Sequence, residues 1–160
     1  MAKSKTKQKQ KTNEPVITNR KARFQYHIEE TLEAGLALTG TEVKAIRDGR
    51  ANLTDSYVRL RRGELYLVGC HIGPYPAAGA FQHEPRRERK LLVHRRELDR
   101  LAGRVRERGL TLIVPRLYFK NGRVKAELAL ARGKKRHDKR AAMRERQIRK
   151  EMDRAIKAHR

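Results

Sequence analysis

Fifteen of this chain's twenty-three net positive charges lie in the fifty residues at its two ends, so only the stretch between them can fold around a core. Residues 1–21 hold seven Lys/Arg against one Glu, residues 22–131 hold twenty-one against thirteen acids, and residues 132–160 hold thirteen against four. The segments therefore carry +6, +8 and +9. Ends this charged have too little apolar surface to offset the entropy of ordering. Residues 1–18 read as a basic disordered arm, 19–132 as the globular unit and 133–160 as a basic tail. With 38% hydrophobic residues in 160, one modest core can be filled and a second cannot.

The same charge narrows the function. Self-repulsion at +23 is tolerable only beside a polyanion, which means nucleic acid or an anionic membrane. No run approaches the roughly 18 apolar residues of a membrane span. The Lys/Gln/Thr-rich beginning, with Lys at every second position from Lys3 to Lys11, has no apolar stretch behind it and does not read as a secretory signal. A lone Cys70 makes no intrachain disulfide and fits a reducing, cytoplasmic setting.

In the middle, Phe24, Tyr26 and Ile28 alternate with polar neighbours and Leu32, Leu36 and Leu38 follow, so the spacing predicts a strand that bends near Gly35. Residues 41–47 read as a short helix capped by Thr39 or Thr41 and stopped near Gly49. Residues 56–61 and 64–68 flank Arg62-Gly63 as a hairpin, and the Gly/Pro-rich stretch 73–85 reads as a surface loop. A short apolar strand follows at 90–94. Leu98, Leu101, Ala102 and Val105 form the stripe of a helix over 95–108, with Gly109 as its stop. Residues 110–119 and 123–131 flank Asn121-Gly122, a strong hairpin signal, and Pro115 demotes the first of that pair to an edge or a bulge. Six or seven short strands in sequential hairpins favour a mainly β, small antiparallel barrel with peripheral helices. An oligonucleotide-binding (OB) barrel fits the size and charge, and composition alone does not separate it from an SH3-like one.

Little in the chain points to chemistry of its own. Cys70 and the six histidines, His27, His71, His83, His94, His137 and His159, show no short metal-ligand spacing. Gly133-Lys134 lacks the upstream glycine of a phosphate loop, since position 128 is Leu. Glu29, Glu30 and Glu33 are carboxylates without a paired geometry: alternation puts Glu29 and Glu33 on one face and Glu30 on the other. They read as a solvated, Arg-compensated strand end, although a carboxylate can accept from a base amino group where no Lys or Arg can. No catalysis, cofactor or metal is expected.

The runs Asn19–Arg23, Glu29-Glu-Thr, Glu33-Ala-Gly35, Leu38–Lys44, Ala51–Tyr57, Pro85–Leu92, Leu117–Gly122, Leu130–Lys135 and His137-Asp-Lys-Arg140 resemble the bacterial SsrA-binding protein family, also called small protein B. The likeness extends in order from about residue 19 to the end. It implies an OB-like barrel that holds the transfer-RNA-like domain of transfer-messenger RNA (SsrA RNA), as one monomer per RNA, and brings it to stalled ribosomes for trans-translation. Two further readings compete with it: a ribosomal protein whose arms thread ribosomal RNA, and an RNA-modifying enzyme. Asn19, Glu33 and Leu92 match family positions associated with that RNA. Arg20, Lys21, Arg23, Lys44, Arg89, Lys90, Lys120, Lys125, Lys134 and Lys135 are expected at phosphates, where they confer affinity and salt dependence rather than sequence choice.

The tail is free of Gly and Pro after Gly133 and rich in helix formers. Ile148, Met152, Ala155, Ile156 and His159 trace a narrow apolar stripe, and Glu145 and Arg149 form an i, i+4 pair. A lone helix of this length is marginal in water, so the segment is expected to be disordered free and helical when bound. By resemblance, Gly133 is a hinge and His137, Asp138, Lys139 and Arg140 lie near the small-subunit decoding centre of 16S rRNA. Ile148, Met152 and Ile156 then follow the mRNA channel. Many relatives carry Trp where this chain has Ile148, which offers a hydrophobic contact instead of a stacking one.

Overall fold

The computed structural model describes residues 13–158; the Lys-rich residues 1–12 and the tail's His159 and Arg160 lie outside the described residues. In order, the chain forms β1 (Ile17–Thr18), α1 (Ala22–Gln25), β2 (Tyr26–Leu36), α2 (Gly40–Arg47), β3 (Ala51–Asn52), β4 (Tyr57–Arg61), β5 (Glu64–Val68) and β6 (His71–Ile72). A 3-10 turn at Pro76–Ala78 precedes β7 (Arg89–Leu92), α3 (Arg95–Arg108), β8 (Thr111–Lys120), β9 (Arg123–Gly133) and α4 (Arg136–Ala158). Seven strands pair antiparallel in the order β1-β8-β9-β2-β7-β5-β4, and β3 pairs with β6 apart from them. Edge strand β4 packs back against β8, so the sheet curls into a nearly closed, OB-like barrel.

Both hairpins fold at the residues that specify them. Arg62-Gly63 and Asn121-Gly122 take left-handed backbones, which match the twist of the strands they join. The 41–47 helix begins at Gly40 behind Thr39, and α3 ends on Gly109 at φ 59°, where the absence of a Cβ removes the penalty.

Three local expectations change. Phe24 sits in α1 rather than a strand, because Asn19 Oδ1 accepts the N–H groups of Lys21 (3.2 Å) and Ala22 (3.3 Å) and caps a helical turn. The sheet starts at Ile17, inside the stretch read as an arm, and its two longest strands, β2 and β9, run 11 residues each. Long strands must bend to close a barrel, and here bulges do it. One lies between Ile28 and Glu30, the other between Ile113 and Arg116, where Pro115 lacks an N–H and its carbonyl instead accepts from the Asn19 N–H at 2.7 Å. The first bulge breaks the alternation expected of the glutamates. Glu29 and Glu30 both reach Arg104, Arg100 joins Glu30, and Arg132 joins Glu29. Glu33 lies apart.

The barrel interior is aliphatic, with Ile46, Leu53, Leu65, Leu67, Leu101, Leu117, Leu128 and Leu130 at its centre. Residues Leu128-Ala-Leu-Ala131 are buried on both faces, because α1 and the start of β2 cover Ala129 and Ala131 from outside. Helix α4 contrasts with this. It buries no residue, and Met143, Ile148, Met152 and Ile156 are all exposed. At its root Lys134 N–H donates to the Gln25 carbonyl (2.8 Å), Lys134 Nζ donates to the Arg23 carbonyl (3.0 Å), and His27 lies 3.8 Å from Asp138; beyond the root, Phe24 of α1 lines an open cleft with Met143, Arg146, Gln147 and Lys150. No helix among the described residues is long and apolar enough to cross a membrane.

Candidate nucleic-acid interface

Antiparallel partners point to the same side of a sheet, so the register alone traces the outer face of the barrel. Lys120 pairs with Arg123, Tyr118 with Lys125 and Arg116 with Glu127. Lys125 then pairs with Gly35 and Glu127 with Glu33, and Gly35 pairs with Leu92 across β7. Lys90, two residues before Leu92, faces Tyr66, which faces Arg59. One band thus crosses six strands from β8 to β4, and it carries Glu33, Lys90, Leu92, Lys120 and Lys125 together. These residues are scattered over more than ninety positions of sequence, from Glu33 to Lys125. Arg59, Tyr66, Arg116 and Tyr118 complete the band, and the sequence reading missed them because only the register of distant strands puts them there.

Leu92 is the ridge of this face. It is 49% exposed beside a buried Leu91, and it borders shallow clefts on either side, one shared with Gly35, Val43 and Lys125 and one with Glu33, His94 and Lys125. The apolar side chain stands in the open among charges, where a core residue would not be. Gly35 permits this, since a Cβ there would come 3.1 Å from Leu92 Cβ. At the cleft's other wall, Glu33 accepts hydrogen bonds from Tyr118 Oη (2.6 Å) and Lys120 Nζ (3.0 and 3.1 Å). Those bonds, Tyr118's first and then Lys120's, hold the Glu33 carboxyl below its ordinary range, while burial and the same carboxylate push the Tyr118 hydroxyl up to about 12. Glu33 is therefore ionised at neutral pH and fixed in place, with acceptor capacity left for a base amino group.

Two expected RNA contacts are spent inside the protein. Arg89 is fully buried. Its Nε donates to Glu42 (2.9 Å), Nη1 to the carbonyls of Cys70 (2.9 Å) and Arg87 (3.0 Å), and Nη2 to those of Pro85 (3.1 Å) and Glu84 (3.4 Å). No donor remains for a phosphate, so Arg89 is a clamp on the 84–88 segment. Arg87 joins it on the buried Glu42 at 2.6 and 2.7 Å. Asn19, 7% exposed, donates to the Leu53 carbonyl (3.0 Å) and caps α1. It fixes the base of the Arg20–Arg23 run instead of presenting its own amide.

The remaining cations divide by site. Lys44 is exposed on α2, 5.4 Å over the Tyr75 ring, and Lys90 Nζ donates to Glu64 at 2.6 Å. Arg20, Lys21 and Arg23 are exposed around α1, with Lys21 4.0 Å from Asp55, and at the tail root Lys134 closes on Arg23 while Lys135 N–H donates to Asp138 (3.2 Å). His137 Nε2 lies 3.0 Å from Asp138. The structure thus separates a face centred on Leu92 from a root at Gly133–Arg140 that projects α4 outward.

A family model described as SmpB protein matches residues 16–158. The chain belongs to the SmpB family. An SsrA-binding protein of Staphylococcus epidermidis is 50% identical over 152 residues, 95% of this chain and 97% of its own length. One of Pelotomaculum thermopropionicum is 56% identical over 142 residues, 89% of this chain and 93% of its own. Among solved structures, a chain described under "tmRNA-SmpB: a journey to the center of the bacterial ribosome" is 48% identical and superposes with a TM-score of 0.64, covering 81% of this chain and 95% of that one. The SmpB match takes in the whole of α4 and stops short of the Lys-rich residues 1–15. The likeness noted in the sequence is thereby a family membership, and the barrel is the SmpB one.

Proposed function

We propose that this chain is an RNA-binding adaptor of ribosome rescue by trans-translation, which binds transfer-messenger RNA and works with it on the ribosome. SsrA-binding relatives over nearly the whole chain and a tmRNA-SmpB ribosome structure of the same fold support that reading. The observation that carries it at the level of residues is the band that sets Glu33, Leu92, Lys90, Lys120 and Lys125 on one face. Lys side chains there supply affinity to phosphate, while a fixed carboxylate and an exposed leucine supply the selectivity that charge lacks.

The second surface is the tail. Gly133 ends β9, and the exposed basic helix beyond it rests on propensity, its root contacts and an open apposition to Phe24 of α1, with no residue buried. In this reading it folds fully against ribosomal RNA, with His137 to Arg140 at the decoding centre and Ile148, Met152 and Ile156 along the mRNA channel. Its charge and its lack of buried residues support this. The adaptor works in the cytoplasm without a reaction of its own, through placement of one RNA on another. The test is equilibrium binding of the full chain to transfer-messenger RNA. Glu33→Gln and Leu92→Ala should each weaken it by about tenfold, beyond the loss from any single Lys. Equal losses everywhere would leave only generic electrostatics.

A further inference from the structure

The two hairpin turns of the barrel have the same backbone and different residues. Asn121-Gly122 sits at φ 52° and 74°, and Arg62-Gly63 at φ 50° and 72°. Asn tolerates the left-handed region and Arg pays a steric penalty for it, so Asn-Gly suits this turn and Arg-Gly does not. A residue held in a disfavoured conformation at an exposed turn invites a functional reason. Arg62 makes no ion pair among the described residues, whereas its neighbours Lys90 and Arg95 are paired with Glu64 and Asp99 at 2.6 and 3.3 Å.

Arg62 stands on the rim of a cleft of about 330 Å³ between the β4–β5 turn and the junction of β7 with α3. Leu65 and Leu98 form its floor, Lys90, Arg95 and the Glu64 that Lys90 holds share its rim, leaving the rim net cationic, and the exposed Leu92 is one wall. A cleft of this size with an apolar floor and a cationic rim has the form of a small-ligand site. Its wall is the ridge of the Glu33 face, so the two surfaces are continuous.

We infer that this cleft takes one unpaired nucleotide of the same transfer-messenger RNA, with its phosphate against Arg62 and its base over the leucine floor. The inference rests on the adaptor reading above. Unpaired RNA suits the site because a splayed base can enter a cleft and a stacked one cannot. The turn places Arg62 at the rim, and the one carboxylate there, Glu64, already accepts from Lys90 Nζ (2.6 Å) and Tyr66 Oη (2.7 Å), so the Arg62 guanidinium is unpaired among the described residues.

The substitution Arg62→Asn separates function from folding, since Asn is the better residue for the turn. In the full chain, its thermal midpoint should equal or exceed that of the wild type. Its affinity for transfer-messenger RNA should fall roughly five- to tenfold near physiological salt, and the slope of log affinity against log salt should flatten by about one. Chemical probing of the bound RNA should show an unpaired nucleotide protected by the wild type and exposed with Arg62→Asn. Unchanged affinity, slope and footprint would overturn the inference while leaving the adaptor reading intact, provided the wild type binds. A loss confined to ribosome binding would also overturn it, and a wild type that does not bind the RNA overturns both readings.

Discussion

Replacing Arg89 with Lys keeps the charge and removes the fork. If Arg89 met phosphate, a lysine would preserve most of the affinity and none of the stability would change. The structure dictates the reverse. An ammonium can stay with Glu42, but a single nitrogen cannot span the four carbonyls of Cys70, Glu84, Pro85 and Arg87 that the guanidinium now serves. At roughly 1 kcal/mol for each of about three bonds lost in a buried site, the variant should be less stable by about 3 kcal/mol. That is a large part of a total of order 5–15 kcal/mol. Urea unfolding followed by circular dichroism measures it, as a lowered midpoint at unchanged slope. Once folded at low temperature, the variant should bind RNA with the wild-type salt slope. Stability within about 0.5 kcal/mol of the wild type, the range of neutral surface changes, would refute the clamp.

Four further outcomes follow from the same geometry. Burial alone would raise the Glu42 carboxyl, but the Arg87 hydrogen bonds, the Thr39 N–H and Arg89 together hold it below its ordinary range. The unfolded chain then binds that proton more readily, so Glu42's contribution is complete above the unfolded value near 4.3 and is lost as pH falls through the folded one; urea midpoints from neutral to acid pH should show the step, and Glu42→Gln should lack it. Gly35→Ala should cost little stability, because its backbone is not left-handed, yet push Leu92 aside and weaken RNA binding several-fold in a filter or fluorescence assay. Truncation after Gly133 should leave RNA affinity nearly intact and abolish peptide tagging on stalled ribosomes. Amide exchange of the free chain should leave 143–158 almost unprotected, whereas strong protection would mean that α4 is docked.

Much of the local structure was legible from residues that act on their immediate neighbours. The two glycine turns, the helix behind Thr39 and the Leu98–Val105 stripe each need only a few consecutive positions to specify them. The exceptions share a cause. Asn19, Arg89 and Glu29 look like surface residues by type, and each is defined by a partner far along the chain or by a bulge that shifts its register. A carbonyl at Leu53 or a buried Glu42 cannot be inferred from the residues beside Asn19 or Arg89. The Leu92 face was half legible, since family likeness marked Glu33 and Leu92 while the pairing of β2, β7, β8 and β9 had to bring them together. Tyr66 and Arg59 carried no likeness and no local signal at all.

The most direct test of the adaptor is the RNA that the chain selects. Purified from cells under moderate salt and sequenced, its bound RNA should be dominated by one species with a transfer-RNA-like end, and Leu92→Ala should deplete that species. Ribosomal RNA in proportion to ribosomes, or an unselected mixture that Leu92→Ala leaves unchanged, would contradict the account.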